Sequence, residues 1–242
     1  RILSTFDFNN YEINLSTRPE KSIGSEAVWD LATKGLTEAL ERKGWNYKID
    51  EGGGAFYGPK IDLKIEDAIG RMWQCSTIQL DFNLPERFGL DYVAADGSKQ
   101  QPIMIHRAIF GSLERFFGIM TENYAGDFPF WLAPEQIRLL PVTDDVQPYA
   151  EQLLDQLKTA GIRATIDQSG DRLGKIIRTG EQMKIPVLAV IGAKEAEQNA
   201  VSLRSRRDGD LGVTSVDALL NAAQWANTER QPGLDLKLGV NP

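Results

Sequence analysis

Residues 102–122, PIMIHRAIFGSLERFFGIMTE, constrain the fold of this chain more than any other stretch. They predict a buried strand, a tight joint and an apolar helix, because Gly111 permits a sharp turn and Ser112 is a typical helix N-cap. The helix carries Glu114 and Arg115, and charges in so apolar a segment are costly unless a polar group meets them. Two interpretations stay open: an arginine aimed at a phosphate or base, or a core helix whose arginine is paired internally. The predicted apolar face of the helix consists of Leu113, Phe116, Phe117, Ile119 and Met120.

The chain before this segment has the pattern of an antiparallel sheet with one wet face. Strands are expected over 1–17, 45–49, 61–67, 71–83 and 102–108. One helix is expected from Ser25 to about Lys43, with Leu31, Leu36 and Leu40 on its apolar face. Residues 52–60, GGGAFYGPK, form a Gly-rich loop without the spacing of a Walker phosphate loop, and residues 85–100 form a turn-rich connector.

The chain after residue 136 alternates between strand and helix patterns. Strands are expected over 137–142, 162–167, 186–192 and 200–206, and helices over 146–160, 172–183 and 216–228. Such alternation predicts a small α/β domain with a largely parallel sheet. The tail from Arg230 is expected to be irregular.

Composition excludes several classes of protein. A formal net charge of −7 argues against non-specific coating of nucleic acid, although a local basic patch remains compatible with tRNA. The sequence contains no apolar run of 18 residues and no secretory signal pattern, so no membrane partner is expected. A single cysteine is typical of a reducing compartment, which predicts a cytoplasmic location.

His106 is the only histidine in the chain. A lone histidine on an apolar strand is more often a hydrogen-bonded core residue than a metal ligand. It cannot form a tetrahedral zinc site with Cys75 alone, because such sites need three or four protein ligands. From composition alone, a structural role for His106 is therefore favoured.

Four long strings resemble the class II aminoacyl-tRNA synthetases, and among them most closely the threonine-specific family. They are EGGGAFYGPKIDLKIEDAIGR (51–71), WQCSTIQLDFNLPERF (73–88), IHRAIFGSLER (105–115) and WLAPEQIRLLPVTD (131–144). The resemblance covers nearly the whole chain and identifies 102–122 as the third motif of the class. It implies an α/β (α+β) fold: an incomplete antiparallel class II sheet with helices over 1–133, a small anticodon-binding α/β domain with a mostly parallel sheet over 134–229, and a tail over 230–242.

The resemblance implies ATP-dependent activation of L-threonine and its transfer to tRNA(Thr), with Mg²⁺ bound to ATP. It makes Arg115 a catalytic residue that contacts ATP. Glu114 is expected to orient Arg115 or to cap local donors rather than to act as a base. Gln74 and Thr77 fall in the nucleotide and ribose region. Their odd spacing places both on one face of a strand only if a bulge or twist intervenes. Further residues implied near threonine are Tyr57, Gln79 and Ser112.

The resemblance also implies that His106 is one of three zinc ligands, the other two lying upstream of this chain. Zinc that binds the threonine hydroxyl rejects valine, whereas an apolar pocket discriminates poorly between such isosteres. We therefore expect His106 and Arg115 to project into one cavity. Without the resemblance, each of these positions is an ordinary strand or loop residue.

The residues implied in tRNA binding lie in both halves of the chain. Lys60 falls near the acceptor end, and the anticodon-binding residues are expected in the basic stretches 172–178 and 203–207 and near them. They are Arg172, Lys184, Glu195 and Arg204. Two positions depart from the family pattern, with Gly170 where asparagine is common and Lys184 where arginine is common. A glycine has no side chain to bind a base, and lysine lacks the planar fork of arginine.

The first two motifs of the class are not found, and the chain opens with Arg1. We therefore expect the C-terminal part of a threonyl-tRNA synthetase that is a homodimer at full length, and we expect the 242 residues alone to be inactive. The alternative is a non-catalytic tRNA-binding or regulatory module derived from such an enzyme. Retention of Gln74, His106 and Arg115 favours the first hypothesis, because a binding module does not need them.

Overall fold

A computed structural model describes residues 2–236 of the chain. The chain divides into two compact units, Arg1–Asn123 and Tyr124–Pro242. Each unit has its own five-stranded sheet and its own buried apolar core. The boundary at residue 133 between the two regions implied by the sequence stays a prediction. No helix among residues 2–236 is long and apolar enough to span a bilayer.

The first unit combines a mixed sheet with four helices in its described residues. Its elements are α1 (Ile2–Thr5), β1 (Tyr11–Ser16), α2 (Glu26–Lys43), β2 (Lys48–Asp50), β3 (Lys60–Glu66), β4 (Met72–Asp81), α3 (Asn83–Arg87), β5 (Tyr92–Val93), β6 (Lys99–Gln100), β7 (Met104–Ala108) and α4 (Leu113–Asn123). The sheet order is β2-β1-β3-β4-β7, and every pairing is antiparallel except that of β1 with β2. The three strands β3, β4 and β7 carry most of the candidate site residues.

Helix α2 begins and ends as its sequence predicts. The Ser25 hydroxyl accepts a hydrogen bond from the Val28 N–H, and Gly44 ends the helix in a left-handed conformation with φ of +64°. The predicted apolar face is correct for Leu36 and Leu40 but wrong for Leu31, which is 66% exposed. The turn of 3.6 residues brings Trp29 to the buried face instead.

Two segments of the first unit differ from the sequence prediction. The strand expected over 1–17 is limited to β1, because residues 2–5 form a single helical turn. The connector 85–100 contains the end of α3 and the hairpin of β5 and β6. That hairpin turns at Gly97, with φ of +80°, and the Asp96 carboxylate accepts hydrogen bonds from the N–H and hydroxyl of Ser98.

Helix α4 follows the joint predicted at Gly111. Gly111 has φ of +72°, and a Cβ atom there would lie 2.8 Å from the Cys75 carbonyl oxygen. The Ser112 hydroxyl accepts a hydrogen bond from the Arg115 N–H at 3.1 Å, as an N-cap does. Phe116, Ile119 and Met120 are buried as predicted. The prediction is wrong for Leu113 and Phe117, which are 71% and 58% exposed and leave part of the apolar face uncovered.

The second unit consists of a five-stranded sheet and the helices that connect its strands. Its elements are β8 (Ile137–Pro141), a 3₁₀ turn (Asp144–Val146), α5 (Gln147–Thr159), β9 (Ala164–Ile166), α6 (Leu173–Gln182), β10 (Val187–Ile191), α7 (Ala193–Glu197), β11 (Ala200–Ser205), β12 (Gly209–Ser215) and α8 (Val216–Thr228). The order is β12-β11-β10-β8-β9. Strands β10, β8 and β9 are parallel as predicted, whereas β11 and β12 are antiparallel, so the sheet is mixed. Residues 230–236 contain no helix or strand, and the rest of the predicted tail lies outside the described residues.

Candidate functional site

Strands β3, β4 and β7 bring five sequence-predicted site residues to one face of the first sheet. Lys60 lies opposite Gln79, and Gln79 lies opposite His106 on the next strand. Thr77, two residues before Gln79, projects from the same face because side chains alternate along a strand. These residues and Gln74 line an open cavity of about 370 Å³.

An irregularity in the pairing of β3 with β4 places Gln74 and Thr77 together. Lys64 lies opposite Gln74 but Leu63 lies opposite Ser76, so Cys75 is an extra residue on β4. The Gln74 side-chain N–H group therefore donates a hydrogen bond to the Thr77 hydroxyl at 3.0 Å. The odd spacing of Gln74 and Thr77 required a bulge for both side chains to share one face, and β4 has that bulge.

The Asp62 carboxylate contacts three side chains of this face, and the sequence analysis missed it. Its carboxylate is 4% exposed and contacts the Lys60 ammonium at 2.6 Å. It also accepts hydrogen bonds from the Gln74 amide at 2.6 Å and from the Thr77 hydroxyl at 2.7 Å. One buried carboxylate thus fixes three side chains of the cavity. The alternation of the IDLKIED segment was the available signal, since it places Asp62 on the same face as Lys60.

His106 is held on both sides within the cavity. Its Nε2 atom lies 2.8 Å from a carboxylate oxygen of Asp81, and its side chain is 42% exposed. The ring of Tyr57 meets the imidazole edge-on with 6.5 Å between ring centres. The Tyr57 hydroxyl is also 3.3 Å from the Gln79 amide oxygen, to which it donates a hydrogen bond. Tyr57, Gln79 and His106 therefore form one cluster.

Arg115 lies beside this cavity rather than in it. Its guanidinium donates a hydrogen bond to the Gln74 carbonyl at 2.9 Å and lies 5.6 Å from the centre of the Trp73 ring. It lines a second cavity of about 260 Å³. Gln74 contacts both regions, since its side chain lines the first cavity and its carbonyl accepts the hydrogen bond from Arg115, and a shared binding cleft for His106 and Arg115 stays a prediction.

One expectation about the start of α4 differs from the structure. The Glu114 side chain makes no hydrogen bond or ion pair within residues 2–236, so it does not orient Arg115. Glu114 and Arg115 need no buried polar partner, because both side chains are exposed. Ser112 caps α4, and its expected contact with threonine stays a prediction.

Trp73, which contacts Arg115, is itself fixed by a buried acid. Its indole N–H donates to the Asp67 carboxylate at 2.8 Å, and Asp67 also accepts from the Arg71 guanidinium at 2.6 Å. Burial alone would raise the pKa of Asp67, but the hydrogen bonds from Trp73 and Arg71 lower it below its ordinary value. The Arg71 guanidinium also lies 5.4 Å from the Trp73 ring centre, so two cations contact this one indole.

The Gly-rich loop over 52–60 approaches the protein's own backbone. A Cβ atom on Gly54 would collide with the Thr17 carbonyl, and one on Gly58 would collide with the Leu80 carbonyl. These glycines let the loop pack against the ends of β1 and β4. Because the loop also lines the first cavity, its glycines contribute to the shape of the site.

The first unit can supply one zinc ligand. Within residues 2–236, no three histidine, cysteine, aspartate or glutamate side chains are grouped as a metal site requires. His106 fits a single ligand, because it borders an open cavity and has a carboxylate on one ring nitrogen, which is the usual companion of a metal-bound histidine. The residues present therefore fit zinc only if other residues complete the ligand set.

Two of the predicted tRNA-binding residues in the second unit have free cationic groups. The guanidinium groups of Arg172 and Arg204 make no hydrogen bond or ion pair with the described part of the chain, whereas Arg206 pairs with Asp127. Arg204 and Ser202 share one face of β11, opposite the buried Val201 and Leu203. Arg204 on a partly exposed strand face and Arg172 at the start of α6 are therefore available to an anionic ligand.

Glu195 is next to this face and is strongly fixed. Its carboxylate accepts hydrogen bonds from the Gly192 N–H and the Ser202 hydroxyl, both at 3.0 Å. The backbone N–H of its own residue and the Ser202 hydroxyl lower the pKa of Glu195. Glu195 therefore stays ionised, and through Ser202 it lies on the face of β11 that carries Arg204.

The two departures from the family pattern both fall at left-handed backbone positions. Gly170 has φ of +67°, a conformation that glycine and asparagine adopt most easily. Lys184 has φ of +60° just after α6, and its ammonium donates to the Ala125 carbonyl. The lysine thus fastens the 124–127 loop of its own unit, a contact that sequence reasoning did not predict.

Comparison with known families matches both units. Residues 1–124 match the tRNA synthetase class II core domain (G, H, P, S and T), and residues 136–224 match the anticodon binding domain. The first match spans half of the chain, and the chain therefore belongs to the class II aminoacyl-tRNA synthetases. The resemblance drawn from its sequence motifs is confirmed.

Within that class, several of the similar proteins are threonine–tRNA ligases. The chain is 94% identical over all 242 residues to the threonine–tRNA ligase of Synechococcus sp. (strain CC9902), of which it covers 39%. It is 59% identical over 220 residues to the chloroplastic/mitochondrial threonine–tRNA ligase 2 of Arabidopsis thaliana, and the match covers 91% of this chain and 34% of that protein. The chain thus spans well under half the length of these relatives.

A solved structure supports the same similarity. The structure described as the RNA binding domain of threonyl-tRNA synthetase from Cryptosporidium parvum Iowa II matches with a TM-score of 0.86 and 35% sequence identity. The match covers 97% of this chain and 57% of that one. Both units therefore have the folds found together in that protein.

Proposed function

We propose that this chain is part of a threonine–tRNA ligase, which activates L-threonine with ATP and transfers it to tRNA(Thr). The observation that carries the proposal is the polar face of β3, β4 and β7, where Lys60, Gln74, Thr77, Gln79 and His106 border one cavity. The 94% identity to a threonine–tRNA ligase supports the same function. The protein's work in such a reaction is to position reactants and neutralise charge.

ATP is the proposed ligand of Gln74, Thr77 and Arg115. The guanidinium fork of Arg115 suits phosphate oxygens and stacking on a base, and its anchorage on the Gln74 carbonyl and the Trp73 ring holds its plane. The hydroxyl of Thr77 and the amide of Gln74 are fixed by Asp62 at the cavity floor. Mg²⁺ is proposed to accompany ATP.

Threonine is the proposed ligand of the Tyr57, Gln79 and His106 cluster, with Ser112 as a further contact. His106 would hold zinc together with residues outside this chain. When bound, zinc supplies a Lewis-acidic centre that can take the threonine hydroxyl as a ligand, which valine lacks. Gln79 and Tyr57 orient each other through their hydrogen bond, which supports a fixed pocket for a small polar amino acid.

tRNA is the proposed ligand of residues in both units. Lys60 is proposed to contact the acceptor end, because it lines the same cavity. The anticodon is proposed to bind at Arg172, Lys184, Glu195 and Arg204, of which Glu195 and Arg204 lie on one side of β11. Single-stranded loops are read through exposed base edges, which such charged groups can bind. A homodimeric, cytoplasmic enzyme completes the proposal.

The decisive experiment measures two activities of the longer protein that contains this chain. Arg115→Ala should lower threonine-dependent ATP–pyrophosphate exchange by about 100-fold and leave tRNA affinity unchanged. Arg204→Ala should weaken tRNA binding about tenfold and leave exchange unchanged. Lys158→Ala, which removes one charge from α5, is the matched control and should change neither activity.

Two outcomes would overturn the proposal. Exchange that does not depend on threonine would refute the substrate. Absence of exchange with tRNA binding retained would refute the ligase and favour the non-catalytic tRNA-binding module. The 242-residue chain alone is expected to show no exchange.

A further inference from the structure

Asp81 is the most constrained carboxylate next to the candidate threonine pocket. Its side chain is 3% exposed at the end of β4. One carboxylate oxygen, Oδ1, accepts hydrogen bonds from the backbone N–H groups of Asn83 at 2.8 Å and Leu84 at 3.0 Å. The other oxygen, Oδ2, is 2.8 Å from Nε2 of His106. One oxygen therefore faces the two backbone N–H groups, and the other faces His106.

This arrangement decides which ring nitrogen of His106 carries the proton. An ionised carboxylate only accepts hydrogen bonds, so the Nε2 atom that contacts Asp81 must donate and must carry the hydrogen. In a neutral imidazole, the other nitrogen, Nδ1, then has the free lone pair. A metal binds the nitrogen that has the lone pair.

We propose that Asp81 is a positioning residue that holds His106 in the Nε2–H tautomer and thereby makes Nδ1 the ligating atom of this histidine. The inference rests on the proposed function for the metal itself, but the tautomer is a property of this chain alone. The strand pairing supports it, because Asp81 and Gln79 lie on β4 and His106 is the residue opposite Gln79. The α3 turn, through Asn83 and Leu84, is what fixes the carboxylate.

The variant Asp81→Asn separates the tautomer role from simple packing. Asparagine has nearly the same shape, but only one of its two terminal atoms accepts hydrogen bonds. The two backbone N–H groups require that acceptor at the Oδ1 position, so the amide NH₂ must face His106. An NH₂ group facing Nε2 donates to it, which moves the imidazole proton to Nδ1 and occupies the proposed ligating atom.

The first experiment is nitrogen-15 NMR of the imidazole in the 242-residue chain. Because His106 is the only histidine, its two ring nitrogens give the only imidazole signals. At a pH of about 9, where imidazole groups are neutral, the wild-type chain should show a protonated Nε2 and an unprotonated Nδ1. Asp81→Asn should reverse the two, and Asp91→Asn, an exposed carboxylate of the same unit, should not. A wild-type chain with the proton on Nδ1 would overturn the proposal without any variant.

The second experiment measures zinc affinity in the longer protein by competition with a chelator. Asp81→Asn should weaken zinc binding by about 10- to 100-fold, and His106→Ala should lose it further. Unchanged zinc affinity together with a reversed tautomer would refute the positioning role. A wild-type protein that binds no zinc would refute the metal in the proposed function and leave the tautomer result standing, so the two failures are distinguishable.

Discussion

The two units of this chain place their polar and apolar side chains in opposite ways. Of the buried polar side chains among residues 2–236, Gln136 alone lies in the second unit, and the first unit holds Asn14, Ser16, Asp62, Asp67, Ser76 and Asp81. The large exposed apolar side chains are distributed likewise, since all but Val142, Met183 and Val213 lie in the first unit. The second unit instead has two apolar clusters, a large one in which Leu139, Leu157 and Leu203 are fully buried and a smaller one around Leu140 and Ile176.

This difference teaches that the units depend on different forces. The second unit is stabilised by burial of apolar area, which tolerates loss of a surface charge. The first unit depends on a few satisfied polar networks, in which a missing partner leaves a buried donor or charge unpaired. Hydrogen exchange of peptides from each unit can follow the stability of the two units separately.

The largest difference between the units is expected from removal of a paired aspartate. Asp62→Ala should lower the unfolding free energy of the first unit by about 3 kcal/mol, because the Lys60 charge and two hydrogen-bond donors lose their partner. Asp171→Ala in the second unit breaks only the exposed pair with Lys175 and should cost less than about 0.5 kcal/mol. Equal losses in hydrogen-exchange protection would show that the contrast between the units is not energetic.

A smaller effect is expected from the joint before α4. Gly111→Ala should destabilise the first unit by about 2 kcal/mol, since the new methyl group meets the Cys75 carbonyl at a left-handed backbone position. Gly97→Ala has the same backbone strain but open space, and should cost about 1 kcal/mol. Urea unfolding of both variants measures the difference, and a Gly97 variant as damaged as the Gly111 variant would argue against the close approach.

Acid should destabilise the first unit more than the second. The lowered pKa of Asp67 means that its contribution to stability is complete above its ordinary pKa of about 4 and is lost as the pH falls through the lower folded value. The pKa of Asp81 is also lowered, because its hydrogen bonds from Leu84 and His106 outweigh the effect of burial, which acts to raise it. In the second unit, hydrogen bonds from its own backbone N–H and from Ser202 likewise lower the pKa of Glu195.

Hydrogen exchange at pH values from about 5 down to about 2 should therefore show the larger loss of protection in the first unit. Asp67→Asn should reduce this pH dependence, because asparagine does not titrate in that range. Loss of protection that begins in the second unit would contradict the assignment.

The smallest effect on stability is expected at the edge of the first sheet. Strand β7 pairs only with β4 in the described residues, and its Ile105 is 64% exposed. An open edge strand with an apolar side chain favours association with another chain, and a charge opposes it. Ile105→Lys should change the unfolding free energy by less than about 0.5 kcal/mol and reduce concentration-dependent sedimentation. Unchanged sedimentation would show that this edge does not associate.

Local signals explain what the sequence predicted correctly. Helix α2 has a serine cap and a terminal glycine within the segment itself, and Gly111 and Ser112 likewise define the joint before α4. Each depends on residues a few positions apart, so the physical rule operates within one stretch of sequence.

Long-range pairing explains what it missed. Asp81 lies 25 residues before His106, and only the register of β4 against β7 brings them together. Strand β12, GDLGVTS, contains two glycines and faces solvent, so it lacks the apolar alternation that identified the other strands. Likewise, no local pattern reveals that Arg115 donates a hydrogen bond to the Gln74 carbonyl, 41 residues before it.

The contact between Phe130 and Pro232 has a practical consequence. A backbone hydrogen bond of 3.0 Å joins these residues, and Gln136 donates to Asn227 nearby, so the first and last described segments of the second unit are neighbours. A fold whose ends are neighbours can be circularly permuted with a short linker and inserted into a loop of another protein. The exposed turn between β11 and β12 is then the natural place for new termini.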